Sequence, residues 1–146
     1  MKKKYTYFLL VILVFLVGCT TDKIVEEKIQ DNSITVTGPD SEIIERSETL
    51  SDVIVDLYGI DDATTIIFND TAIIGLKVAY DEELDENISD IVKNAVLIED
   101  PNINQVLLTD KDRVFNEINS VVNELLQGKS YDTLVEDINK IKNKIK

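Results

Sequence analysis

Asp61-Asp62, Glu99-Asp100 and Asp110 with Asp112 are the carboxyl pairs whose spacing could support acid–base chemistry. Two carboxylates can divide the roles of acid and base in glycoside hydrolysis, provided their surroundings split their pKa values. Each pair falls at the boundary of an expected element, where Asp serves turns and caps. The structural role is therefore the expected one. The acids between Asp81 and Glu86 are dense, yet they lack the spacing and the glycine of an EF-hand loop. The chain has no His, which removes the commonest general base at neutral pH and the commonest metal ligand. Ser51, Ser89, Ser120 and Ser130 could pair with a Lys as nucleophile and base, but no spacing singles one out. No GxGxxG or GxxxxGK string occurs. A non-enzymatic protein is expected, with no catalytic residue, no cofactor and no metal ligand assigned.

The lone Cys is the most specific chemical signal, and it concerns location. Lys2, Lys3 and Lys4 precede an apolar run from Tyr5 to Val17 that only Thr6 interrupts. The chain turns polar directly after Cys19, with Thr20, Thr21, Asp22 and Lys23. This is the pattern of a secretory signal peptide. Its apolar core is short for a spanning helix, which needs about 20 apolar residues. The string Leu16-Val17-Gly18-Cys19 resembles a bacterial lipobox. That resemblance implies cleavage before Cys19, a diacylglyceryl group on its sulfur, and anchorage by acyl chains. Anchorage by more than one chain is physically sensible, because one chain holds only marginally. The alternatives are an uncleaved N-terminal anchor, or a plain signal peptide with an accidental Cys.

The whole chain of 146 residues has 28 Asp and Glu against 15 Lys and Arg, a net charge of -13. Removing residues 1–18 removes Lys2, Lys3 and Lys4 and no acid, which leaves 128 residues at -16. Such acidity makes nucleic acid an unsuitable partner, and anionic lipid repels it. The exception is the tail, where Lys140, Lys142, Lys144 and Lys146 cluster. There they are expected to complement a helix C-terminus.

Periodicity then outlines the elements that must position these groups. Residues 1–18 read as signal peptide, 19–41 as a lipid-anchored flexible tether, and 42–146 as one α+β domain. Within the tether, Ser33 to Thr37 alternates like a short strand. A helix is expected from Ser41 to Tyr58, with Leu50, Val53, Ile54 and Leu57 on one face and Gly59 at its C′ position. Asp61 to Phe68 and Thr71 to Tyr80 read as an antiparallel hairpin around Asn69-Asp70. Ala72, Ile74, Leu76, Val78 and Tyr80 form its apolar face, whereas Ile73, Gly75, Lys77 and Ala79 form a mixed one. A helix from Glu83 to Val96, capped by Asp81, and a strand from Ile103 to Leu108 follow. Thr109 and Ser130 are the expected caps of two final helices. The order α-β-β-α-β-α-α, with few strands, predicts a small two-layer sandwich. Its three-stranded sheet carries the helices on one face. The aromatic residues are expected mostly in the core.

An ordered set of strings adds a biological setting. It comprises Leu57-Tyr58-Gly59-Ile60-Asp61-Asp62-Ala63-Thr64 and Asn69-Asp70-Thr71-Ala72-Ile73-Ile74-Gly75-Leu76. Asp100-Pro101-Asn102-Ile103 leads into Val106, and Thr109 to Ile118 and Gly128 complete it. With these strings the chain resembles the bacterial sporulation lipoproteins of the YhcN/YlaJ type. The Lys-rich final helix departs from the aromatic- or Pro-containing tail of many members. The resemblance implies a lipoprotein of endospore formers, associated with spore membranes or envelope, without established catalytic residues. The element order also resembles the BON domain, a small envelope module, which implies an interaction role. The expected function is that of a membrane-tethered lipoprotein acting in sporulation or germination by binding an envelope protein or itself. It would sit lipid-anchored on the extracytoplasmic face of the cell membrane or on a spore membrane. The alternative is an envelope module that binds cell-wall polymer or a divalent cation, which an exposed groove lined by tyrosines would favour.

Overall fold

A computed structural model describes residues 39–80 and 82–145. The expected signal peptide, Cys19 and the Ser33 to Thr37 strand lie outside the described residues. Helix α1 (Pro39–Val55) opens on proline, whose ring presets the helical φ where no N–H donor is required. It therefore starts ahead of the expected Ser41. It also ends before Gly59, whose left-handed φ of +87° serves the turn into the sheet rather than the helix end.

Strands β1 (Ile60–Phe68) and β2 (Thr71–Val78) form the expected antiparallel hairpin, with Phe68 opposite Thr71. Asn69 takes φ +57° in the tight link, a region Asn tolerates better than most residues. Asp70 then determines where the third strand begins. Its carbonyl accepts from the N–H groups of Asn104 and Gln105, at 2.8 and 3.2 Å. Strand β3 (Gln105–Thr109) accordingly runs parallel to β2, with Gln105 opposite Thr71. Ile103 was expected inside this strand, but its N–H donates to Asp100 O in the preceding turn. Helix α2 (Glu86–Glu99) supplies the crossover that a parallel pair requires. It ends at Asp100, which is extended, as the residue before Pro101 must be. Helices α3 (Asp112–Leu126) and α4 (Tyr131–Ile145) complete the chain.

The α+β class and the order α-β-β-α-β-α-α agree with the sequence reading. The layering corrects it, because helices cover both faces of the sheet. Ile67, Ala72, Ile74 and Leu76 pack with Leu50 and Ile54 of α1 and with Ile88, Val92 and Val96 of α2. Ile66 and Ile73, on the opposite face, pack with Ile118 and Val121 of α3 and with Leu134, Ile138 and Ile141 of α4. Gly75 explains why the second face looked half-polar. A Cβ there would lie 3.0 Å from Phe115 Cα, so glycine admits the α3 backbone against β2. Lys77 Nζ sits 4.3 Å above the Phe115 ring, a cation–π contact. From Thr71 to Leu76, β2 is buried throughout, as befits a central strand covered on both faces.

The outer edge of β1 is closed by side chains. In an antiparallel pair, alternate residues turn both backbone groups away from the partner strand, and Ile67 is one of these. Its N–H donates to Ser47 Oγ of α1 at 3.2 Å, and its carbonyl accepts from the Tyr131 hydroxyl of α4. Ser47 also donates to Ile43 O at 2.8 Å. Along the same strand, Thr65 Oγ1 is buried without a partner among the described residues.

These contacts generate two stability predictions. Tyr131→Phe strands a buried carbonyl and is expected to cost about 1–2 kcal/mol, read from the urea midpoint. Thr65→Val removes an unsatisfied hydroxyl from a strand and is expected to raise that midpoint by about 1 kcal/mol. A third concerns pH. Burial, reinforced by the Asp40 carboxylate, pushes the Tyr131 phenol well above its ordinary 10.0. The unfolded chain ionises this phenol first, so stability is full below about pH 10 and declines as pH rises further. Tyr131→Phe should flatten that alkaline decline, and an unchanged slope would refute the assignment.

Candidate functional site

Two of the six acids singled out by spacing, Asp62 and Asp100, have charged partners among the described residues. Asp62 pairs with Lys77 at 3.1 Å on the exposed side of the hairpin, and Asp61 stays in solvent. Glu99 is exposed, while Asp100 is buried. Asp100 Oδ2 accepts from Arg46 Nε and Nη2 at 2.8 and 2.6 Å, and its Oδ1 accepts from the Asn102 N–H at 3.1 Å. This cluster ties α1 to the end of α2. Asp110 and Asp112 are both exposed. Asp62 and Asp100 thus each face a cation rather than a second carboxyl.

The caps also differ from expectation. Asp85, not Asp81, caps α2 by accepting from the Ile88 N–H at 2.8 Å. Asp81 lies outside the described residues. The buried stripe of α2 is Ile88, Val92 and Val96, and Ile91 and Ile98 are exposed. Thr109 Oγ1 accepts from the Lys111 N–H at 3.2 Å and so makes the turn before α3. Lys111 takes the cap position without a side-chain bond. At α4, Asp40 Oδ2 accepts from the Tyr131 N–H at 3.1 Å, a long-range contact that the local sequence around Ser130 could not reveal.

Three open clefts stand out among the described residues. One of about 320 Å³ lies between α3 and α4 and is lined by Glu117, Glu124, Asp137, Lys140 and Lys144. Its charges are largely matched. The Lys144 ammonium, 2.5 Å away, holds Glu117 below the usual carboxylate range, with help from Arg113. Glu136 and Asp137 raise the Lys140 pKa through their hydrogen bonds. A second cleft, of about 310 Å³, surrounds the Arg46–Asp100 pair. The third, of about 340 Å³, is floored by Ala63, Thr64 and Thr65. No tyrosine lines any of them. Among the described residues, no group of three His, Cys, Asp or Glu side chains converges to hold a metal ion.

The tyrosines divide sharply. Tyr131 is buried, but Tyr58 is 88% and Tyr80 98% exposed. The alternation of β2 assigned Tyr80 to the apolar face, but the strand ends at Val78 and releases it. Both rings flank one hydrogen bond, from the Ala79 N–H to Gly59 O at 2.9 Å. Glu82 packs over Gly59, its Cγ 3.5 Å from where a Gly59 Cβ would stand. Asp56, Asp61 and Glu83 are exposed nearby in sequence.

The burial contrast between ion pairs gives a test of their roles. Arg46→Ala uncovers the Asp100 carboxylate, which is only 9% exposed, and should cost about 2 kcal/mol. Lys93→Ala breaks an exposed pair with Asp90 and should cost less than about 0.5 kcal/mol. Equal losses in chemical denaturation would show that Asp100 is not held through Arg46.

Residues 20–146 match the family described as Sporulation lipoprotein YhcN/YlaJ. No curated protein matches the chain. The family description names no catalytic activity. Among the described residues, no helix is long and apolar enough to cross a membrane. The match takes in every element of the fold and the segment that precedes it, and the chain belongs to the YhcN/YlaJ family of sporulation lipoproteins.

Proposed function

We propose that this protein is a non-enzymatic lipoprotein, held by Cys19 on the extracytoplasmic face of the cell or spore membrane. Its domain acts in sporulation or germination by binding an envelope protein. The observation that carries this reading is the family match from residue 20 onward, which begins just after Leu16-Val17-Gly18-Cys19. Cleavage before Cys19 would make that residue the new N-terminus and supply the acyl anchor. The body would then carry -16 beside the membrane. Repulsion from anionic lipid favours contact with protein over contact with the bilayer surface. The matched charges of the α3–α4 cleft and the structural use of Asp62, Asp85 and Asp100 support an interaction role over catalysis.

Cys19→Ala is expected to abolish incorporation of labelled fatty acid and to release the protein from the membrane pellet. A variant that still carries label and still pellets would refute the anchor. A tagged copy at its native locus should appear at the forespore or spore periphery. Constant signal around vegetative cells would leave the anchor standing and remove the sporulation role.

A further inference from the structure

We propose that the end of the domain bearing Tyr58 and Tyr80 docks a cationic segment, rich in Arg or Lys, of a partner protein; this rests on the interaction role proposed above. The two rings are the most exposed large apolar side chains described, at 88% and 98%. The Ala79 N–H to Gly59 O hydrogen bond brings the backbone segments that carry them side by side. Exposed tyrosines offer rigid contact area at low entropic cost, and their faces attract cations. The charge around them selects the occupant. Asp56, Asp61, Glu82 and Glu83 lie within three residues of one or other tyrosine in sequence, and Glu82 reaches Gly59, while the nearby cation Lys77 is already held by Asp62 and by the Phe115 ring. A guanidinium or ammonium stacked on either tyrosine would thus have nearby carboxylates that pair with no cation among the described residues.

Position supports the same reading. The described chain enters at Pro39, and α1 is 17 residues long, a rise of about 25 Å. Tyr58 lies beyond its far end, so the patch is well separated from that entry point. A second copy of the chain is a poor occupant. Cleaved before Cys19 it would carry -16, and the lysines of its final helix are engaged by Glu136, Asp137, Glu117 and Thr71. A membrane surface is disfavoured by the same acids.

The test uses the full lipidated protein in detergent, titrated with an Arg-Gly repeat peptide and with Ser-Gly and Glu-Gly repeats of equal length. The Arg-Gly peptide should bind, and salt should weaken it. The double substitution Tyr58→Ala with Tyr80→Ala, which alters no charge, should weaken binding about tenfold. Tyr58→Phe with Tyr80→Phe keeps both rings and should bind as the native protein does. Asp132→Asn, on α4, should change little. Three results would overturn the proposal. One is equal peptide affinity for the native and double-Ala proteins. Another is a loss from Asp132→Asn as large as from the tyrosines. The third is tyrosine-dependent binding to phosphatidylcholine vesicles or to a second copy, with no preference for the Arg-Gly peptide. Failure of the underlying role is read separately in cells, as normal sporulation and germination after deletion of the gene. A deletion defect that the double-Ala protein fully rescues would overturn the docking surface alone.

Discussion

The backbone of Ile67 is the point on which the arrangement of layers depends. A three-stranded sheet buried on both faces still has edges, and a buried unpaired backbone group costs as much as a lost hydrogen bond. Helix α1 meets the N–H of Ile67 through Ser47, and α4 meets its carbonyl through Tyr131. These helices belong largely to different cores. The strand edge is thus where the two cores are joined. Asp40 strengthens the join, since it lies in the first turn of α1 and accepts the first N–H of α4. Tyr131 is held at both ends, its backbone by α1 and its hydroxyl by β1.

The same economy governs the carboxylates. Asp40, Asp85 and Asp100 each satisfy orphan N–H groups at turns or helix ends, and Asp70 fixes the entry of β3 through its carbonyl and its side chain. An acid committed in this way is tied to its donors and has little freedom to exchange protons with a substrate. Of the acids whose spacing suggested catalysis, Asp100 is therefore committed to a turn and to Arg46. The exposed acids near Tyr58 and Tyr80 in sequence are among those with no such assignment.

The hairpin was legible because period-2 alternation and the Asn69-Asp70 link act within a few residues, and the final helices because their apolar stripes repeat at 3.6. What escaped was set by distant contacts. Gly75 and Lys77 made one face of β2 look half-exposed, and only the approach of Phe115, 40 residues on from Gly75, shows that it is covered. Asp85 displaced Asp81 as the cap of α2 because the loop before it is longer than the acid-rich pattern suggested. Tyr80 was misassigned for the opposite reason, since its alternation is correct but the ladder stops at Val78. The role proposed for Cys19 rests on its place behind an apolar run, a signal that owes nothing to the fold.

Charge links the fold to the proposed role. A body at -16 on an acyl anchor gains little by lying against anionic lipid, and each exposed acid adds to the repulsion. The lysines of α4 do not reverse this, because Glu117, Glu136 and Asp137 engage Lys140 and Lys144 within the helix pair. Attraction remains only toward partners that bring positive charge. A surface that combines that field with two unburied aromatic rings gains electrostatic steering from the acids and short-range contact from the rings. Neither alone gives selectivity: acids without rings attract any cation, and rings without acids adhere to any apolar surface. Under the proposed role, rings and acids together beyond the far end of α1 would let a small domain choose among cationic partners.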